Sequence, residues 1–163
     1  MIHRFSVNKN IKNFKKDLIK ECIDQRKKET GGCNFQLQTK YLDNLYKLFI
    51  DCAQKILNPF TLTDKKFKVW CYMTDSVFND TNWHNHKQSA TINSVIYLQV
   101  KDKGIRFKHE NKQIYIQPDN GDMLIFPSFL YHQPDVSTDD KRISLNLELR
   151  CNENEKEIFD ISI

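Results

Sequence analysis

No apolar run in the chain approaches the roughly 18 residues that a membrane-spanning helix needs. The opening stretch, MIHRFSVNKNIKNFKK, has no apolar core of the kind a secretory leader carries. Neither a membrane span nor a leader is therefore expected. The five cysteines, Cys22, Cys33, Cys52, Cys71 and Cys151, are scattered and odd in number, and no CxxC pair occurs. That pattern argues for reduced thiols in a cytoplasmic protein rather than a disulfide framework. Glycine and proline number only four each, so those present mark particular turns. Long blocks of one charge are also missing. The net charge is +4, but in KNFKKDLIK and DQRKKE the lysines are mixed with acidic residues, and there is no repeated aromatic interleaving. These stretches read as solvated helix faces, and a nucleic-acid partner is not indicated.

What is present is a globular composition, with 39% hydrophobic and 12% aromatic residues, eleven of them Phe. A length of 163 residues suits one domain with a sizeable core. The expected layout is a single domain over 1–163, with helical support over 1–60 and a β core over 67–150. In NFKKDLIKECIDQRKKE the residues Phe14, Leu18 and Cys22, with Ile19 and Ile23 offset, form an amphipathic stripe. ETGGC breaks that helix. TKYLDNLYKLFIDCAQKIL carries a second, broader stripe that ends before Pro59. From about Phe67 the period becomes two. FKVWCYM, ATINSVIYLQV, GIRFKH, KQIYIQP, DMLIFP and RISLNLELR read as strands, with IFDISI as a short strand-like tail. The turn signals KDKG, HENK, PDNG and STDD separate them. The fold class is α+β, mainly β: an antiparallel barrel or sandwich backed by N-terminal helices.

The chemistry concentrates on three histidines. In a strand, i and i+2 share a face, so His84 and His86 of NWHNHKQS would project together ahead of the strand near Thr91. Alone, HxH is a weak signal, because two surface histidines would look the same. His132 adds weight. It follows GDMLIFPSFLYH, and the expected loop after that buried strand would bring a third imidazole to the pair. First-row metals favour imidazole donors, and three protein ligands leave positions open for small molecules. Ten positions after His132, Arg142 begins RISLNLEL. Its alternation sets Ile143, Leu145, Leu147 and Leu149 on one face and Arg142, Ser144, Asn146 and Glu148 on the other. If the polar face lies inside the barrel, the Arg142 guanidinium and Ser144 hydroxyl would grip a carboxylate. If not, that face is simply solvated.

HNHKQS, NSVIYL, GDMLIFPSFLYH and RISLNLE together resemble motifs of the 2-oxoglutarate- and Fe(II)-dependent oxygenase superfamily. More narrowly, they are similar to those of small oxygenases of bacteria and marine phages. The likeness spans roughly Gly31 to Leu149, with GGCNFQ its looser N-terminal part. It implies a double-stranded β-helix, a jelly-roll or cupin-like barrel. It implies His84, His86 and His132 as the Fe(II) ligands, with His86 where most of the superfamily has Asp or Glu. It further implies that Arg142 and Ser144 hold the far carboxylate of 2-oxoglutarate, with Tyr97 reaching the same group and Asn93, on the parity of Tyr97 and Val95, as a further cosubstrate-binding residue. The implied reaction uses O2, converts 2-oxoglutarate to succinate and CO2, and hydroxylates a substrate, with no catalytic residue beyond the metal ligands. A virus-encoded protein of this kind would work in the host cytoplasm.

Trp70 and Tyr72 share a face of KVWCYM and, with Trp83 beside the HxH pair, are candidates for the substrate pocket; core packing is the plainer role for the first two. Cys71 reads as a buried thiol, and His3 and His109 as solvated. A peptidyl side chain, an amino acid, a nucleobase or a small metabolite would all suit as substrate, and the oligomeric state is not legible. Two rivals stay open. A metal-binding cupin dioxygenase or isomerase would use HxH and a later His, but would usually add a Glu after HxH and would leave Arg142 unexplained. A catalytically silent β-helix could act as a binding module.

Overall fold

The switch in hydrophobic period near Phe67 separates helices from most of the strands. The computed structural model describes residues 1–29, 31–136 and 141–161. In chain order these residues form β1 (His3–Ser6), α1 (Asn8–Ile11), α2 (Lys15–Arg26), β2 (Asn34–Leu37), α3 (Leu42–Ile56), β3 (Val69–Thr74), β4 (Ile92–Gln99), β5 (Ile105–His109), β6 (Lys112–Ile116), β7 (Asp122–Pro127), β8 (Tyr131–Pro134), β9 (Arg142–Leu149) and α4 (Glu155–Ile158). The STDD turn signal and the last two residues of the tail lie outside the described residues.

The larger sheet has the order β1-β7-β4-β9-β3-β2 and the smaller one β6-β5-β8, and the named strand pairs are antiparallel. The result is a jelly roll. Strand β9 sits inside the larger sheet and is apolar on one face only. Ile143, Leu145, Leu147 and Leu149 join Leu18, Cys22, Leu45 and Phe49 of α2 and α3 in the main core. Each such side chain contributes roughly 1.5–3 kcal/mol when fully buried. The opposite face of the larger sheet meets the smaller sheet, with Val95, Tyr97, Ile105, Phe107, Leu124 and Phe126 in a second core. The polar residues of β9 open into this inter-sheet space. All five cysteines are free and buried.

Three expectations need correcting. The 1–60 region contains β1 and β2, which close the two ends of the larger sheet. Neither has a long alternating run: HRFS and NFQL are four residues each. They are strands because β7 and β3 offer unpaired edges, so tertiary pairing overrides the weak local signal. The start of the IFDISI tail ends a short helix instead of forming a strand. Asn154 caps that helix, accepting from the Glu157 N–H at 3.0 Å in a capping box. His132 lies within β8, paired with β5, rather than in a loop.

One tight approach bears on the site. A Cβ on Gly104 would fall inside contact distance of the Ile116 carbonyl and the Tyr115 ring. The Gly104 carbonyl also accepts from the Arg142 guanidinium at 3.4 Å. Replacing Gly104 by Ala should therefore push β5 and β6 apart and lower stability by about 1–3 kcal/mol, the usual range for overpacking. Urea unfolding checks this; a change under ~0.5 kcal/mol would show that the hairpin yields freely.

Candidate metal and cosubstrate site

The three histidines converge. Their ring centroids lie 4.3 Å (His84–His132), 5.2 Å (His86–His132) and 5.3 Å (His84–His86) apart. The segment carrying HxH is not a strand. His84 forms one antiparallel bridge with His132, through His84 N–H to His132 O at 3.1 Å and the return bond at 2.9 Å. The His86 N–H donates to Ser128 O at 2.9 Å. Backbone bonds to two neighbouring segments, rather than strand parity, thus aim the pair.

Each imidazole is tethered through Nδ1. His84 Nδ1 is 2.9 Å from Asn82 O, His132 Nδ1 is 3.0 Å from Leu130 O, and His86 Nδ1 is 2.6 Å from Glu148 Oε1. Carbonyls and an ionised carboxylate only accept, so Nδ1 is the donor in each ring. That leaves the three Nε2 lone pairs free. One donor atom from each ring lies within 4.8 Å of the others. A metal bonded at about 2.1 Å would hold donors within about 4.2 Å of one another, so small ring rotations suffice. Burial, reinforced by His84, pushes the His132 imidazole down to about 3. Burial also lowers His84, against the pull of the Asn82 carbonyl. Both rings are neutral near pH 7, as metal donors must be. Burial alone would push Glu148 up, but its hydrogen bond to His86 outweighs this, and the carboxyl lies below its ordinary range.

Across the same cavity stands Arg142, 1% exposed. Its guanidinium reaches Ser144 Oγ at 3.2 Å and lies 5.7 and 5.6 Å from the ring centres of Tyr72 and Tyr97. No ion pair to it occurs among the described residues, its Nε has no hydrogen-bond partner, and neither has the Tyr97 hydroxyl. Burial lowers the Arg142 pKa and raises that of Tyr97. A buried charge without a counter-ion is unfavourable unless something anionic binds it. The sheet register explains the grouping. Tyr72, Ser144 and Tyr97 occupy one cross-strand row, and Trp70, Asn146 and Val95 the next on that face.

The remaining predicted residues divide. Tyr72 lines the cavity, and its hydroxyl donates to Asp80 O at 2.9 Å. Trp70 does not line it. It faces a neighbouring cleft with Phe67, Ser89 and Arg150, although the sheet register pairs it with Asn146, which does line the cavity. Trp83 is 36% exposed and does not line the cavity. Asn93 is fully buried with both amide atoms unpartnered, one row beyond Val95 and level with Glu148. His3 and His109 are half-buried rather than solvated, His109 lying 5.7 Å from the Phe129 ring. Sequence reasoning missed Asn34, Ile105 and Pro134 in the cavity wall. It also placed Glu148 on the polar face of β9 without seeing its contact with His86.

Neither a family model nor a curated protein sequence matches the chain. Solved structures do. A Pseudomonas putida prolyl-4-hydroxylase superposes with a TM-score of 0.65 at 13% identity, covering 93% of each chain. A Trichoplax adhaerens prolyl hydroxylase in complex with a hypoxia-inducible-factor peptide fragment gives 0.67 at 13% identity, covering 99% of this chain and 87% of that one. The non-heme α-ketoglutarate-dependent carbocyclase SnoK of nogalamycin biosynthesis gives 0.60 at 8% identity, covering 88% and 78%. The fold is therefore that of the 2-oxoglutarate/Fe(II) oxygenases, with a three-histidine cluster that could hold a metal.

Proposed function

We propose that the chain is an Fe(II)- and 2-oxoglutarate-dependent dioxygenase that hydroxylates a small-molecule or peptidyl substrate. The observation that carries this reading is Arg142, a buried guanidinium without an ion pair among the described residues, set in the same cavity as three imidazoles with free Nε2 atoms. A dicarboxylate whose one end meets a metal and whose other end meets Arg142 satisfies both halves. Iron held by His84, His86 and His132 would supply, with O2, the oxidative decarboxylation of 2-oxoglutarate to succinate and CO2 and the oxidation of a substrate C–H bond.

The chain's own residues bind and position. Arg142 offers paired N–H donors to the distal carboxylate, Ser144 stands beside it, and the Tyr97 hydroxyl has a hydrogen left to give. Val95, Ile105 and Pro134 form an apolar wall that keeps water from the reacting end. The imidazoles are committed as donors, so none of them is free to act as a general base. The likeness to prolyl hydroxylases, one of them bound to a peptide, supports a peptidyl substrate among the classes considered.

The test is anaerobic loading with Fe(II), calorimetry with 2-oxoglutarate, and succinate measurement after admitting O2. The proposal expects about one iron per chain, 2-oxoglutarate binding that needs the metal, and succinate that needs both. Metal binding without 2-oxoglutarate binding would replace it with a cupin-type reading. Binding of neither would leave a silent module.

A further inference from the structure

The three Nδ1 tethers are not alike. His84 and His132 lean on backbone carbonyls, which are neutral and fixed by the fold. His86 leans on a side chain, and that side chain is an acid, 2.6 Å away. The two partners are 17% and 21% exposed, so this is not an ordinary surface pair. Glu148 is itself held. Asn146 Nδ2 donates to its Oε1 at 3.3 Å. Its backbone N–H donates to the Tyr46 hydroxyl at 3.2 Å. Ser89 closes the turn after His86, with its N–H on the His86 carbonyl at 2.9 Å. The Ser89 hydroxyl donates to the same carbonyl at 3.3 Å, so the serine of HNHKQS fixes the turn that carries His86.

Resting on the iron reading above, we propose that Glu148 is the positioning carboxylate of the metal centre. It orients His86 with Nε2 toward the ion. It also supplies, from behind the ligand, the single negative charge that a directly bound carboxylate would otherwise supply. Three neutral imidazoles would leave a divalent ion uncompensated by protein. A carboxylate bonded to a ligand's N–H makes that imidazole a stronger donor and returns negative charge to the centre. Glu148 is one of the four alternating polar residues of β9, the strand that also carries Arg142 and Ser144. One rigid strand thus serves both ends of the site.

The experiment is titration of the metal-free protein with Co(II), read by its visible absorption, in wild type, Glu148→Gln, Glu148→Asp and Glu148→Ala. Gln keeps an acceptor for His86 but removes the charge. Glu148→Gln should bind Co(II) about 10–100-fold more weakly, the range for losing such an outer partner, while keeping the wild-type band pattern. Glu148→Asp should fall between the two. The Fe(III)/Fe(II) potential of Glu148→Gln should move positive, which a purely structural role would not cause. A second variant pair guards against misfolding. His86→Asp would put the carboxylate on the ion itself and remove the imidazole that Glu148 holds, so adding Glu148→Gln to it should change Co(II) affinity by less than about threefold. Wild-type binding matched by Glu148→Gln, or an equally large loss from Glu148→Gln in the His86→Asp background, overturns this inference and leaves the iron reading standing. A wild type that takes up no metal overturns both.

Discussion

Exchanging Arg142 for methionine should abolish 2-oxoglutarate binding and yet leave the metal-free protein at least as stable as wild type. The two halves come from one fact. A guanidinium at 1% exposure has lost its water, and no carboxylate among the described residues replaces it. Ser144 Oγ, the Gly104 carbonyl and the faces of two tyrosines offset part of the loss, but all are neutral. Breaking a buried pair is costly because it strands a charge. Here the charge is already stranded, so an apolar side chain of similar reach relieves the strain or leaves stability unchanged. Ligand binding responds in the opposite sense. Truncating one partner of a buried charge pair costs about 2–5 kcal/mol, which is roughly 30- to several-thousand-fold in Kd. Thermal melts with and without Co(II) and 2-oxoglutarate read both effects. Wild type should gain several degrees with the pair of ligands, following the logarithm of concentration over Kd. The methionine variant should gain only what the metal gives. Arg142→Lys should recover little, because an ammonium lacks the planar fork that meets two oxygens. If Arg142→Met instead melts far below wild type, the guanidinium is holding the sheets together and its role as a ligand anchor fails.

How much of this was legible in the sequence depends on how far each feature reaches along the chain. Strand β9 was readable because RISLNLEL alternates over eight residues, and its two faces meet different environments. β3, β4 and β7 were readable for similar reasons. β1 and β2 were not, because four residues carry too little pattern and their strand state comes from partners over 30 positions away. The convergence of His84, His86 and His132 could be inferred from motif order. The way it is achieved could not. The expected side-by-side projection from a strand is replaced by a backbone bridge to β8 and a bond to Ser128, which are tertiary facts. Trp70 shows the limit of parity. It shares a face with Tyr72, yet a two-residue step along β3 carries it from one cavity to the next. Glu148 was visible as a polar residue on the inward face, but its partner lies 62 positions upstream, and no local signal pairs them.

Removing His132 should cost more metal affinity than any change outside the three ligands. Four-ligand structural zinc sites hold their ion with about 10–16 kcal/mol, or roughly 2.5–4 kcal/mol per ligand. Losing one donor of three here should therefore weaken Co(II) binding by about two to three orders of magnitude. His132 is also the most buried of the three, at 3% exposure, and its ring packs 5.1 Å from Phe126 and 5.9 Å from Phe107. His132→Ala thus opens a cavity in the second core as well. The metal-free variant should lose stability by a few kcal/mol, in the usual range for large-to-small changes. His84→Ala separates the effects. Its ring is only half-buried, so the metal loss should be similar while the unfolding midpoint moves less. His109→Ala, at the far end of β5, should leave Co(II) binding unchanged. The His84↔His132 bridge is made by backbone atoms and survives both ligand substitutions. The site's frame should accordingly persist in His84→Ala, with 2-oxoglutarate still able to meet Arg142 but with no metal to hold its other end. Calorimetry on that variant would then show residual, metal-independent binding of the dicarboxylate in the millimolar range, corresponding to about 4 kcal/mol. A His132→Ala protein that still takes up Co(II) within tenfold of wild type would mean that the three imidazoles do not share an ion.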